Sequence, residues 1–392
     1  MINWTVLRVL FFAIFSSMLG AGLVVPLLPS YAHSLGATGL QIGLIFAAFS
    51  LSRTLFLPYF GHLSDLKGRK PFITLGLLAY CMASVAYMFS NDVSSLILIR
   101  SFQGITAAMI LPVAQAYAGE LAPKGKEGLV MGVINVSLYG GLSVGPIIGG
   151  IMKDLFSIQA SFLTMGLVCL SGFLLCLVFL PQRREEPFFA KSKTPVRYRR
   201  LLSNRYILGL FLFRLTYTMC VGTIWAFAPL LAEIEFKMSS LEIGFIITLS
   251  VFVSAVLMAP MGFVADRLNK RPFILIGGLI TVCAMIFFYR GQQPWVFFAG
   301  STLTGIGGGI ALPSIMAMSV VVGRKMDSMG SVMAIVTMGH SLAMVFGPII
   351  GGFIMDILHI RLVFVGGAAI MLLGTVLVLP LVSGFNALEK PS

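Results

Sequence analysis

Residues 40–72 and 241–273 are one segment written twice. The first reads LQIGLIFAAFSLSRTLFLPYFGHLSDLKGRKPF and the second LEIGFIITLSVFVSAVLMAPMGFVADRLNKRPF. A constant offset of 201 residues pairs Leu40 with Leu241, Gly43 with Gly244, Gly61 with Gly262, Asp65 with Asp266 and Pro71 with Pro272. That offset is about half of the 392-residue chain, so the chain reads as a duplication. Each copy is a long apolar stretch that ends in a basic turn. A repeat of this kind points to a membrane protein of two lobes with its working site between them. The repeat extends further: Gly104 pairs with Gly305 and Pro112 with Pro313 at the same offset, then Gly145-Pro146 with Gly347-Pro348 and Asp154 with Asp356 at 202.

Hydrophobic residues make up 58% of the chain and charged residues 10%. The apolar runs are about 20 residues long, enough to cross a hydrocarbon core of roughly 30 Å as helix. They lack the in-out alternation of barrel strands, and only helices and closed barrels satisfy their backbone in lipid. The expected fold is therefore an all-α polytopic membrane protein of twelve transmembrane helices. The spans are expected at 5–30, 41–61, 72–89, 94–118, 129–152, 161–180, 206–231, 242–262, 273–289, 294–318, 330–355 and 361–383. They group as an N-terminal six-helix lobe (1–180), a cytoplasmic linker (181–205) and a C-terminal six-helix lobe (206–392), related by pseudo-symmetry. A short surface helix is expected in the linker around Val196–Leu202.

The net charge of +13 could suggest a nucleic-acid partner, but its placement argues against one. With both termini cytoplasmic, 20 of the 27 lysines and arginines fall on the cytoplasmic side, as the positive-inside rule requires. A cell-membrane location, inner or plasma, follows from this reading. The first apolar stretch is longer than a signal-peptide core and reads as the first span. The five cysteines lie inside spans without ligand spacing, so neither a disulfide framework nor a metal site is expected.

The segment Gly61-His-Leu-Ser-Asp65-Leu-Lys67-Gly68-Arg69-Lys70-Pro71 reads as a turn between spans 2 and 3. It resembles the G-x-L-x-D-x-x-G-R-K signature of the major facilitator superfamily. The second copy, Gly262 to Arg271, departs by carrying Asn269 in place of glycine. Arg100-Ser-Phe-Gln103-Gly104 resembles the family's R-x-x-Q-G motif. In span 5, Gly132, Gly141, Gly145-Pro146 and Gly149-Gly150 match the spacing G-x8-G-x3-G-P-x2-G-G of the family's drug:proton antiporter branch. Span 11 keeps only the tail of that pattern, with Ala343 in place of a glycine. Gly141-Leu-Ser143-Val-Gly145 also spells a hydrolase elbow, but it lies inside an apolar span without a strand-turn-helix context.

The resemblance covers essentially the whole chain. It implies a conformational latch at Gly61, Asp65, Arg69, Gly262 and Asp266, with Glu120 as the partner of Arg69. It implies a central cavity lined by spans 1, 4, 7 and 10, with 2, 5, 8 and 11 beside them. Many relatives carry a buried carboxylate there; no Asp or Glu lies deep in an expected span, and the span 5 position corresponds to Asn135. The deep ionisable residues are Arg53, Arg214, His340 and the shallower Arg100, for which snorkelling to the surface is an open alternative.

His340 is the leading candidate proton carrier, because imidazole titrates near neutral pH; a neutral hydrogen-bonded histidine is the alternative. Arg100, Asp154 and Asp356 are further coupling candidates, the two aspartates being interface residues otherwise. Substrate contacts are expected from Arg53, Arg214, Asn135, Met18, Met109, Tyr217, Trp225 and Met316. The expected function is a secondary active transporter, exporting small amphipathic compounds against protons by alternating access. The alternative is a facilitator or importer of a small organic anion. Neither reading calls for enzymatic chemistry or a cofactor. The expected partners are a small-molecule substrate, protons and the lipid bilayer, for a chain acting as a monomer.

Overall fold

The structure is a computed structural model that describes residues 3–123, 126–181, 201, 203–326 and 328–385, without the side chains of Glu127 and Asp266. The expected linker at 181–205 and its surface helix around Val196–Leu202 fall almost wholly outside the described residues.

Thirteen helices follow one another among the described residues, without a strand. They are α1 (Trp4–Val24), α2 (Leu28–Ser34), α3 (Gly39–Lys67), α4 (Arg69–Met88), α5 (Val93–Leu121), α6 (Glu127–Leu155), α7 (Ile158–Phe179), α8 (Arg205–Phe236), α9 (Ser240–Arg267), α10 (Lys270–Arg290), α11 (Trp295–Lys325), α12 (Met329–Ile357) and α13 (Leu362–Leu381). All but α2 are long and apolar enough to cross a membrane. Leu98, Val178 and Leu373 are 71%, 69% and 63% exposed, a pattern that hydrocarbon tolerates and water does not. Several starts are capped by short polar side chains. Asn3 accepts from the Val6 N–H at 3.2 Å, Asp92 from Ser95 at 2.8 Å and Ser157 from Ala160 at 3.2 Å.

Three expectations about boundaries need correction. The first span was expected to run unbroken over 5–30, but α1 stops at Val24 and α2 restarts at Leu28. Pro26 lies in this break and has no N–H to continue the helical ladder. The signature segment was expected to be a turn, but Gly61–Lys67 are the last two turns of α3. The chain reverses at Gly68 alone, whose φ of +89° disfavours any side chain. Span 7 was expected to end at 231, but α8 runs to Phe236 and so includes Glu233.

The chain divides into two compact units. Unit 1 holds the described residues of Met1–Ala37, Leu44–Ala190 and Lys237–Thr248; unit 2 holds those of Thr38–Gly43, Lys191–Phe236 and Leu249–Ser392. The first turn of α3 therefore belongs to unit 2, and the first two turns of α9 to unit 1.

Within unit 1, α6 lies along α1 through its glycines. A Cβ on Gly141 would lie 2.7 Å from the Phe15 carbonyl oxygen, on Gly145 2.5 Å from that of Leu19, and on Gly149 2.5 Å from that of Leu23. Within unit 2, α12 lies along α8 in the same way, with Gly347 against the Met219 carbonyl at 2.6 Å. Small residues allow such backbone contact, and van der Waals packing drives association where lipid removes the hydrophobic force. Tyr87 stacks on Phe162 at 5.0 Å in unit 1, and Phe288 on Phe364 at 5.2 Å in unit 2. These aromatic pairs occupy equivalent positions in the two repeats.

Candidate functional site

The signature residue Arg69 opens α4 in unit 1. Its Nε and Nη2 donate to Glu120 Oε1 at 3.1 and 2.6 Å, its Nη1 donates to Ser64 Oγ at 2.7 Å, and it pairs with Asp65. One guanidinium thus ties the end of α3 and the start of α4 to the end of α5. Lys70 beside it donates to the Leu177 carbonyl at 2.8 Å, satisfying an orphan acceptor at the end of α7. In unit 2, Arg271 makes the equivalent bond to the Leu379 carbonyl at 3.2 Å. Asp266 lies in the last turn of α9, its side chain outside the described set. The glycines of the signature make little contact. A Cβ on Gly61 would meet nothing within 4 Å, and one on Gly262 only Pro313 at 3.9 Å. Gly132 on α6 likewise faces open space, unlike Gly141, Gly145 and Gly149.

Arg100 is 3% exposed, so the snorkelling alternative is excluded. Its Nη1 donates to Gln103 Oε1 at 2.8 Å, and its guanidinium lies over the Phe49 ring at 4.5 Å. Tyr87 donates to the same Gln103 oxygen at 3.0 Å. Pro146, in the same helix as the packing glycines, contacts Gly22 of α1. Met18 is buried at the α1–α6 contact, and Met109 packs beside Gly76 of α4. Asn135 is exposed on α6.

In unit 2, α8 and α12 bring three polar side chains together. Arg214 Nη2 and Thr218 Oγ1 each lie 3.3 Å from His340 Nδ1. Arg214 and Thr218 share a face of α8 because they are four residues apart. A guanidinium can only donate, so Nδ1 is the accepting nitrogen and the ring proton of the neutral form sits on Nε2. Tyr217 points the other way and donates to the Thr304 carbonyl at 3.4 Å, its hydroxyl in the space a side chain on Gly308 would fill. The half-buried Trp225 keeps its Nε1 shielded without a hydrogen-bond partner, and Met316 is 38% exposed. Sequence reasoning missed Glu233, whose Oε2 is shielded from solvent in α8.

Asp154 and Asp356 take identical roles. In unit 1, Asp154 at the end of α6 accepts from the Ser240 and Leu241 N–H groups of α9 at 3.0 and 2.8 Å. In unit 2, Asp356 at the end of α12 accepts from the Gly39 and Leu40 N–H groups of α3 at 2.6 and 2.8 Å. Each carboxylate caps a helix N-terminus, where its charge meets the positive end of the helix dipole. Glycine makes this approach possible. A Cβ on Gly150 or Gly244 in unit 1, or on Gly43 or Gly352 in unit 2, would collide with a facing backbone carbonyl.

The five cysteines are free, with Cys169, Cys176 and Cys220 buried and Cys283 exposed. No group of metal-ligating side chains occurs among the described residues.

Twelve membrane-length helices in two repeat-related sets, with isolated polar clusters at mid-helix, define a multi-pass membrane transporter. The profile of the Major Facilitator Superfamily matches residues 10–233 and again 210–391, and the chain belongs to that superfamily. It is 31% identical over 363 residues to an uncharacterized MFS-type transporter of Methanocaldococcus jannaschii, covering 90% of this chain and 92% of the relative. It is 26% identical over 389 residues to the multidrug resistance protein MdtG of Citrobacter koseri, covering 96% and 94%. The fold is shared, at 14% identity, with a bacterial homologue of the human lysosomal transporter Spinster, with a TM-score of 0.84 over 99% of this chain and 98% of that one.

Proposed function

We propose that this transporter exports small amphipathic compounds in exchange for protons, by alternating access in a cell membrane with both termini cytoplasmic. The observation that carries the reading is the contact of His340 with Arg214 and Thr218. Neutral His340 accepts at Nδ1. A proton arriving there turns the acceptor into a donor and places a cation against the guanidinium, so the Arg214 contact must break. Protonation thereby changes how α8 and α12 hold one another, as coupling requires. Arg69, Asp65 and Glu120 act as the latch on the α3–α4 joint, and Tyr217, Trp225 and Met316 contribute apolar contact to the substrate. The name of the multidrug-resistance relative supports export, and the transport cycle involves substrate, protons and bilayer with the chain as a monomer. One proton moved down 100 mV supplies about 2.3 kcal/mol.

The test is ethidium flux in proteoliposomes under an imposed pH gradient. His340→Ala should lower the gradient-driven component about tenfold or more, in the range typical of a lost proton-transfer group. Unchanged proton-coupled flux in that variant would remove His340 from the mechanism. The second reading, a facilitator or importer of a small organic anion, is favoured by the guanidinium groups of Arg53 and Arg214; a facilitator of this kind would show no proton flux with its substrate.

A further inference from the structure

Thr218 follows Arg214 by one turn of α8 and is 2% exposed. Its hydroxyl lies 3.3 Å from His340 Nδ1, the same distance as Arg214 Nη2. Both separations exceed the roughly 2.8–3.0 Å typical of protein hydrogen bonds, as expected where two groups share one in-plane lone pair. The two groups are not equivalent. A guanidinium only donates, whereas a hydroxyl donates or accepts. Neutral His340 already has a donor to Nδ1 in Arg214, so that form of the ring does not need the hydroxyl.

A threonine inside a helix can donate to the carbonyl four residues back. Thr54, Thr164, Thr216, Thr302 and Thr375 all do so, at 2.7, 2.8, 3.1, 2.8 and 2.8 Å. Thr218 does not; its one hydrogen-bond partner among the described residues is the imidazole. The duplication separates this contact from the needs of the fold. The unit 1 equivalents of Arg214, Thr218 and His340 are Ala13, Ser17 and Leu138. Ser17 is buried, and its Oγ has no hydrogen-bond partner. The fold therefore tolerates a hydroxyl here without a bond, and the bond in unit 2 is an addition.

We infer that Thr218 is the positioning residue of the proton site, holding Nδ1–H once His340 is protonated. The inference rests on the proton-coupled reading of His340. A proton from water binds Nδ1, and the contact of Arg214 Nη2 with that nitrogen breaks. The Thr218 hydroxyl then accepts from Nδ1–H and turns its own proton to the Arg214 carbonyl, four residues back. Loss of the proton to water reverses both moves, so one proton enters and one leaves. α12 packs against α8, α11, α13 and the first turn of α3. On α8, Tyr217 and Cys220 bond the Thr304 and Gly367 carbonyls instead, and Arg205, Tyr206, Glu233 and Glu235 lie toward its ends. Arg324 and Lys325 end α11 and Asp356 lies in the last turn of α12, whereas α13 and the first turn of α3 carry no ionisable side chain. Arg214 is thus the charged group set against the ring at mid-helix.

The experiment follows ethidium flux in proteoliposomes of the full-length protein across a pH series, under a constant imposed gradient. Thr218→Val should move the half-maximal pH about one unit toward acid, because protonated His340 loses an acceptor worth about tenfold in proton affinity. The KM for ethidium should stay within about twofold, and Thr218→Ser should restore the wild-type midpoint. A wild-type midpoint in Thr218→Val, with coupled flux lost in His340→Ala, overturns this inference and leaves the export reading standing. So does a shift toward alkaline pH, which makes the hydroxyl a donor to the neutral ring. A Thr218→Ser variant that shifts as far as Thr218→Val overturns it too, since the hydroxyl is then not the cause. Coupled flux that survives in His340→Ala overturns both readings. If Thr218→Val moves no ethidium, the midpoint is read from the pH dependence of ethidium binding, by fluorescence anisotropy on the purified protein, under the same criteria. Thr218→Ala takes its place if Thr218→Val is not monodisperse.

Discussion

The α3–α4 and α9–α10 joints are one motif built twice with different chemistry. The first turns on Gly68 at φ +89°; the second turns on Asn269, with φ −61° and its side chain accepting from the Arg271 N–H at 3.1 Å. The first is tied by Arg69 to Asp65, Ser64 and Glu120, whereas the second has Lys270 and Val321 at the positions of Arg69 and Glu120. In other respects the copies agree closely. Asp154 matches Asp356, Gly43 matches Gly244, and Lys70 and Arg271 cap equivalent carbonyls. What the copies share is the frame. What differs is local: the residue types at the joints, and the contact of Arg214 with His340 in unit 2, whose repeat-equivalent positions in unit 1 are Ala13 and Leu138.

This division can be broken by substitution, with unfolding of the detergent-solubilised protein followed through thiol exposure of the buried Cys169, Cys176 and Cys220. The largest effect belongs to the shared glycines. Gly43→Ala and Gly244→Ala should each cost about 2–3 kcal/mol, because the facing carbonyl cannot move without its helix. Gly132→Ala should instead gain about 0.5–1 kcal/mol from helix propensity. A neutral Gly43→Ala would mean that these contacts are not part of the frame. Next, Asp154→Asn and Asp356→Asn should each cost about 1 kcal/mol and agree with one another, since each removes the same charged cap. A clear inequality between the two would end the claim of equivalence. Arg69→Lys writes the residue of the second copy into the first and should cost about 0.5–1 kcal/mol, since an ammonium cannot reproduce the fork to Glu120 and Ser64. The smallest effect is expected at the second joint, where Asn269→Gly should cost only a few tenths of a kcal/mol, whereas Gly68→Ala should cost about 1–3 kcal/mol because its backbone is open to little but glycine.

Much of the frame is legible in the sequence, because duplication turns it into a pattern. The offsets pair the aspartate caps and the packing glycines before any coordinate is known. Helix ends are less legible. Gly61–Lys67 carry glycine, histidine and charges that read as a loop, yet α3 continues through them, because a helix emerging from the apolar layer tolerates polar residues in its last turns. Glu233 was overlooked for the same reason. Pro26 should have signalled the break between α1 and α2, but the apolar run around it masked the signal. The meeting of Arg214, Thr218 and His340 depends on the rotation of α8 against α12. Gly339 and Gly347 of α12 admit the Phe211 and Met219 carbonyls of α8 on either side of that meeting, contacts no spacing rule reports.

The capping of α3 by Asp356 has a bearing on how this protein is made. The Gly39 amide and its acceptor are separated by 317 residues, so the start of α3 leaves the ribosome long before the group that satisfies it. Until nearly the whole chain has been synthesised and inserted, two backbone amides at that end must stay hydrated or borrow a partner from the translocation machinery. A nascent chain stalled before α12 would display that end unfinished. Quality-control factors that survey newly inserted helices would therefore have a local mark of incompleteness to read.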